Sequence, residues 1–253
     1  MPVSKYSQGF TLIEIIMSLM VLGVISVGIG SYLQLGAQGY IQNRDREQLQ
    51  SQARFAAERI SRELRHAVPN SLIVSGDKKC ITFTPIEYAG FYTNQTLEDI
   101  DNLEGVMSSS VEGTDAVVTD RRLVINPVRM ADLTSASRSA AIKEVVGTQP
   151  WTISFNNPMT FASESVSGRF YIYGIDVQFC LSGSQLTRAT RNIGTTAFST
   201  AVPLAEHLVF TDSRFTLEHA SLNRNALVHF QLAFSQNGEK TQYSHDVQVI
   251  NVP

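Results

Sequence analysis

Charge is what the first forty residues lack. Between Lys5 and Arg44 the only charged side chain is Glu14, so this stretch cannot build the polar face of a soluble amphipathic helix. Proline is missing between Lys5 and Arg44 as well, and nothing stops a helix there before Val68-Pro69-Asn70, where proline biases the preceding residue away from helical geometry. The chain has no clustered basic residues either. A net charge of -3 over 253 residues excludes the Lys/Arg footprint of a nucleic-acid binder. No His-Glu-x-x-His, Gly-x-Ser-x-Gly, Walker or Gly-x-Gly-x-x-Gly pattern occurs. The five histidines, His66, His207, His219, His229 and His245, form no close pair on one helix face, although His229 and His245 lie on two arms of one expected hairpin. Cys80 and Cys180 are the only cysteines, without the Cys-x-x-Cys spacing of a zinc site. The reading is therefore not an enzyme, with no cofactor, no metal and no small-molecule substrate.

What is present is Gly9-Phe10-Thr11-Leu12-Ile13-Glu14, followed by an apolar run from Ile15 to Leu35. At about 1.5 Å per residue, roughly 20 such residues span the ~30 Å hydrocarbon core of a bilayer. A transmembrane part is placed at about 12–35, with Gly28, Gly30 and Ser31 as a weak point. The run is too long for a secretory signal core, and no Ala-x-Ala pattern closes it. A carboxylate at the mouth of such a helix is costly and needs a dedicated partner. An ordinary single-pass anchor gives no reason for it.

Beyond the run the chain turns polar but stays periodic. Ile41, Leu49, Ala53, Ala56, Ile60, Leu64 and Ala67 form one apolar stripe. Arg44, Glu47, Arg54, Glu58, Arg62 and Arg65 lie opposite, with Glu58 and Arg62 at the supportive i,i+4 spacing. One helix over 10–67 would be close to 85 Å long. Its second half needs a sheet to lie on, and residues 70–253 supply strand-like runs. These are Ser71–Ser75, Cys80–Pro85, Ala116–Thr119, Leu123–Asn126, Thr152–Phe155, Arg169–Tyr173, Ile175–Leu181, Gln185–Thr190, His207–Thr211, Arg214–Glu218, Ala226–Ser235 and Thr241–Ile250. Asn237-Gly238 between the last two is a strong hairpin signal, because both central positions of a type I′ turn need positive φ. Ser182-Gly183-Ser184 marks a second hairpin. A long helix followed by antiparallel strands makes the fold α+β. Asn94–Gly113, acidic and serine-rich, is expected as an exposed loop, and Ser137–Val145 as a short helix. The acidic run Glu98–Glu104 fails the EF-hand pattern and is expected as solvated loop.

The residues Gly9 to Glu14, placed before that apolar run, resemble the cleavage and methylation signature of type IV prepilins. The resemblance implies a type IV pilin-like fold, a leader over 1–9, cleavage between Gly9 and Phe10 by prepilin peptidase, and N-methylation of Phe10. It implies that Glu14 meets the Phe10 amine, on the same or a neighbouring subunit, during assembly. The chain departs from many major pilins in having no proline within the helix. Its leader carries only Lys5 beside the amino terminus, so the positive-inside rule alone does not orient it. The family places the leader in the cytoplasm and residues 70–253 in the periplasm, anchored by one pass in inner-membrane lipid before entering a pilus or pseudopilus.

Ala57–Arg65, the Cys80–Pro85 strand and the two-cysteine arrangement resemble biogenesis proteins of mannose-sensitive haemagglutinin (MSHA) pili. They are similar, more loosely, to J-class pseudopilins of type II secretion and to PilW-type minor pilins. This implies a minor pilin that helps initiate or cap assembly, with other minor and major pilins as partners. The alternatives are a J-class pseudopilin and a tip or membrane-anchored adhesin. With export implied, Cys80 and Cys180 read as a disulfide; the alternative is two thiols packed as small hydrophobes.

Overall fold

Residues 9–93, 96–107, 120–147, 150–219 and 225–249 are described by the structure, a computed structural model. Two units divide the chain, residues 1–48 and 49–253. The helix α1 spans Leu12–Arg65 and passes through Gly28, Gly30 and Ser31 without interruption. In the first unit its apolar side chains, from Leu12 through Leu35 to Ile41, are exposed on every side. The hydroxyls of Ser18, Ser26 and Ser31 donate to the carbonyls of Glu14, Leu22 and Val27, at 2.7, 2.7 and 3.0 Å. Bonding four residues back satisfies these hydroxyls inside the helix, so the run presents no unpaired polar side chain before Gln34 except Glu14 and the Tyr32 phenol.

The second unit begins within the helix. Leu49, Ala53, Ala56, Ile60, Leu64 and Ala67 of the expected stripe are buried, with Ala57 beside them, whereas Ile41 is 51% exposed. Glu58 and Arg62 stand exposed, and no ion pair joins them among the described residues. The i,i+4 ion pair here is Arg59 with Glu63, and Glu63 also accepts from Arg188 Nε at 3.1 Å. Glu63 gains a second cation because it faces the sheet; Glu58 faces water, where such a pair contributes little. The helix closes with tighter bonds, His66 N–H to Glu63 and Ala67 N–H to Leu64.

Among the described residues fourteen strands follow: β1 Ile73–Val74, β2 Cys80–Phe83, β3 Tyr88–Tyr92, β4 Ile100–Met107, β5 Arg122–Val124, β6 Ser139–Val146, β7 Trp151–Met159, β8 Arg169–Tyr173, β9 Ile175–Ser182, β10 Gln185–Asn192, β11 Val202–Ala205, β12 Arg214–Glu218, β13 Ala226–Gln236 and β14 Glu239–Val249. They form a five-stranded sheet ordered β1-β2-β9-β10-β11, a three-stranded sheet β12-β13-β14, and a closed barrel β3-β4-β7-β6-β5-β8. Every pairing is antiparallel. The fold is thus α+β, a long apolar helix followed by antiparallel sheets. Between the helix stripe and the two open sheets lies one core, built on Ile81, Phe83, Phe179, Phe215, Phe230 and Phe234. The barrel has its own core around Leu103, Ile153, Phe155, Phe170 and Ile172. Gly90 on β3 and Gly105 on β4 leave room for Phe170: a Cβ on Gly90 would stand 2.5 Å from the ring, and one on Gly105 2.7 Å.

Three expectations need correction. Within Asn94–Gly113, residues Ile100–Met107 are strand β4, with Leu103, Gly105 and Met107 inward and Asp101, Asn102, Glu104 and Val106 outward. Asp101 and Glu104 thus lie on the solvent side of a half-buried strand rather than in a loop, whereas Glu98 and Asp99 precede it in an exposed bend, as expected; residues 94–95 and 108–113 lie outside the described residues. Ser137–Val145 is not a helix, because Ser139–Val146 is strand β6. Its register shifts between Ile142 and Glu144, so the buried residues fall at Ala140, Ile142 and Val145. That bulge inserts a spacing of three into a period of two, and the result imitates a helical face. His207–Thr211 forms only a bridge, Leu208 to Phe234. The Ala116–Thr119 run lies outside the described residues.

Tyr173 ties the barrel to its surroundings. It is fully buried among Val68, Val124, Leu133 and Tyr171, and its hydroxyl donates to the Leu133 carbonyl at 2.7 Å. Burial raises the phenol pKa far above its ordinary value of 10.0. The folded state therefore keeps a proton that the unfolded chain loses above about pH 10, so stability is intact below that pH and falls as pH rises past it. Tyr173→Phe should cost about 1–3 kcal/mol at neutral pH and make the alkaline decline shallower. Melting temperature followed from neutral pH to about pH 11 checks this; an unchanged alkaline slope would contradict it.

Candidate functional site

The residues singled out at the amino terminus sit where the backbone enters α1. Gly9, Phe10 and Thr11 precede the helix, and the Thr11 carbonyl accepts the N–H groups of Glu14 and Ile15, at 3.2 and 3.3 Å. Glu14 therefore lies in the first turn, where the free N–H groups and the helix dipole favour a negative charge. The Phe10 side chain is 79% exposed. Among the described residues the Glu14 carboxylate has no hydrogen-bond or ion-pair partner. An acid on an otherwise ion-free apolar surface, four residues after the exposed Phe10, has the layout of a segment that engages something outside the chain.

The other singled-out residues lie in the second unit. Cys80 and Cys180 are directly opposite one another on β2 and β9 and form a disulfide, with Cα atoms 4.2 Å apart. Close by, the same strand pair is held by Asp176, which is buried; its two carboxylate oxygens accept from Thr84 Oγ1 at 2.6 Å and Arg191 Nε at 2.8 Å. Sequence reasoning missed Asp176. An acid flanked by Ile175 and Val177 was the available signal, since a carboxylate on a core strand must have partners.

His229 and His245 do not face each other. The register sets His229 opposite Asp246 and Phe230 opposite His245, so the two imidazoles fall on opposite faces of the hairpin. His229 Nδ1 pairs with Asp246 Oδ1 at 2.5 Å on the exposed face, and His245 lies 5.8 Å from the Phe230 ring. Among the described residues no group of His, Cys, Asp or Glu is arranged to hold a metal ion. Among the described residues one helix, Leu12–Arg65, is long and apolar enough to cross a membrane, and its apolar part is not buried.

Residues 4–30 match the family model described as the prokaryotic N-terminal methylation motif. The match takes in the Gly9–Phe10 junction, Glu14 and most of the apolar run, and stops short of the second unit. It supports a type IV pilin or pseudopilin that prepilin peptidase processes and that associates with other pilins, a structural role. The chain has no significant match among curated proteins or among solved structures.

The disulfide closes a loop of 100 residues that contains the whole barrel. In the chain-entropy model a loop of that size stabilises by about 4–5 kcal/mol, which for a unit of this size corresponds to roughly 10 °C in melting temperature. Reductant or Cys80→Ser should lower the melting temperature of the detergent-solubilised chain by about that amount. Calorimetry with and without reductant checks it; equal melting temperatures would remove the stabilising role.

Proposed function

We propose that this chain is a minor pilin of an MSHA-type type IV pilus, which helps initiate or cap filament assembly from the inner membrane. The observation that carries the reading is the methylation motif over residues 4–30 on a helix whose apolar surface is uncovered all round. Such a surface is satisfied by lipid before assembly and by neighbouring subunits after it. The Ala57–Arg65 segment, the β2 strand and the linked cysteines support the MSHA assignment through the resemblance they carry. In this reading the second unit lies in the periplasm.

Hydrolysis of the Gly9–Phe10 peptide bond leaves a carboxylate on the leader and a new amine on Phe10. Methylation replaces an N–H with N–CH3 and keeps the amine protonated. That cation is the partner proposed for Glu14. In the bilayer an unpaired carboxylate is costly, and leaving one member of a buried ion pair alone typically costs about 3–5 kcal/mol. Pairing with the amine of a subunit already in the filament would therefore fix the vertical register at which a new subunit leaves the membrane.

Two outcomes follow from these roles. Intact-mass and fragment spectra of assembled protein should begin at N-methyl-Phe10, and Gly9→Leu should leave the leader attached; an intact leader on assembled wild-type protein would overturn the processing scheme. Glu14→Ala should leave both processing and the melting temperature of the second unit unchanged, while recovery of assembled complex with other pilins falls by about tenfold or more, given the 3–5 kcal/mol at stake. Unchanged recovery would assign Glu14 to the bilayer surface instead.

A further inference from the structure

Strand β14 is an open edge, and its register shows which backbone groups it leaves free. Asn237 and Gly238 make a two-residue turn with φ of 50° and 87°, so Gln236 and Glu239 face each other as the hydrogen-bonded pair beside it. Along the hairpin, Thr241, Tyr243, His245 and Val247 then turn their N–H and C=O groups toward β13. Lys240, Gln242, Ser244, Asp246 and Gln248 turn theirs outward. The far side of β13 keeps the same parity: Val209 N–H donates to the Ala233 carbonyl, and Ser235 N–H to the His207 carbonyl. Among the described residues nothing takes up the outward backbone groups of β14.

Beneath this edge, between β14 and the buried half of α1, runs a groove of about 440 Å³, whose walls include Ala57, Ser61, Arg62, Arg65, Tyr243 and His245. Ser61 is 7% exposed, yet among the described residues its hydroxyl has no hydrogen-bond partner. Buried hydroxyls are normally satisfied, so this one marks a place where an acceptor or donor is missing. Arg62 and Arg65 form no ion pair among the described residues, and Glu58 is the only carboxylate on the lining.

We propose that β14 and this groove receive an extended, acidic segment of a partner protein, added as a fourth strand with a carboxylate turned inward over Ser61 toward Arg62 and Arg65. Each feature specifies one property of that occupant. The row of outward N–H and C=O groups requires an extended backbone. The orphan hydroxyl and the two free guanidinium groups require an acceptor of negative charge. A second copy of β14, paired antiparallel about Ser244, does not meet the second requirement, because it would set His245 and Tyr243 beside Tyr243 and His245, while its one inward carboxylate, Glu239, would fall opposite Val249, away from the groove. The inference rests on the second unit alone and stands whether or not the amino terminus is processed as proposed above.

The test uses the full chain in detergent micelles and fluorescein-labelled peptides of about nine residues, long enough to cover most of β14. Threonine alternates with valine, and glutamate replaces the central valine. Anisotropy should show saturable binding of this peptide. Replacing glutamate by lysine, or N-methylating the amides that would face β14, should each weaken binding about tenfold or more. Arg62→Glu combined with Arg65→Glu, both at exposed positions, should weaken the glutamate peptide and restore the lysine peptide. Equal binding of all three peptides, no binding of the glutamate peptide, or indifference to the charge reversal would overturn the proposal. Concentration-dependent self-association abolished by Ser244→Pro would also overturn it, by assigning the edge to a second copy.

Discussion

About twenty large apolar side chains between Phe10 and Ile41 are uncovered, and that single constraint governs what the chain can be. Burying such side chains is worth about 1.5–3 kcal/mol each, so leaving them in water would cost tens of kcal/mol. The net stability of a folded domain is only about 5–15 kcal/mol. No rearrangement within a domain of ordinary stability offsets that, and the surface must be covered by lipid or by other protein. The serine hydroxyls bonded back along the helix fit either cover, since neither offers them water. Glu14 is then the one group for which lipid and protein differ sharply: lipid offers a carboxylate nothing, whereas a neighbouring subunit can bring a cation.

The second unit solves a different problem, that of carrying a barrel as an excursion from a sheet. The barrel strands β3 to β8 lie in sequence between β2 and β9, which are neighbours in the five-stranded sheet. Departure and return are therefore side by side, and closing so long an excursion is entropically costly and slow. Two interactions hold the place where it begins and ends. The disulfide joins β2 to β9 directly, and Asp176 joins Thr84, just after β2, to Arg191 on β10. Backbone bonds from Val68 N–H to Thr84 and from Ile86 N–H to His66 then fasten the start of the excursion to the end of the helix. A covalent link, a buried ion pair and main-chain bonds thus meet within a few residues.

What could be read from the sequence follows physical lines. The helix was legible because its two halves differ so strongly, nearly all apolar or small from Ile15 to Leu35 and a spaced stripe from Leu49. The β13–β14 hairpin was legible because a tight two-residue turn requires positive φ, which Asn-Gly tolerates and both residues adopt. β3 and β11 were not, since Tyr-Ala-Gly-Phe-Tyr and Val-Pro-Leu-Ala contain weak strand formers, and only pairing partners far along the chain make them strands. β6 misled for a specific reason, because its bulge places buried residues three apart. Asp176 and Ser61 show the limit from the site's side. Ile175 and Val177 signal that Asp176 needs partners, but nothing adjacent names Thr84 and Arg191 as those partners or leaves the Ser61 hydroxyl without one; that depends on which strands the topology brings beside them.

An open edge eleven residues long is ordinarily a hazard, because it invites pairing with any extended chain. β14 carries features that limit such pairing. Lys240 and Asp246 put opposite charges on its solvent face, and the Asp246 carboxylate is engaged by His229. On the core side the arginines of α1 stand over the groove, where a purely apolar strand would cover them and strand their charge. The edge therefore penalises the apolar β-segments that drive aggregation and spares those that bring a carboxylate. That is discrimination obtained from the cost of the wrong partner as well as from the fit of the right one.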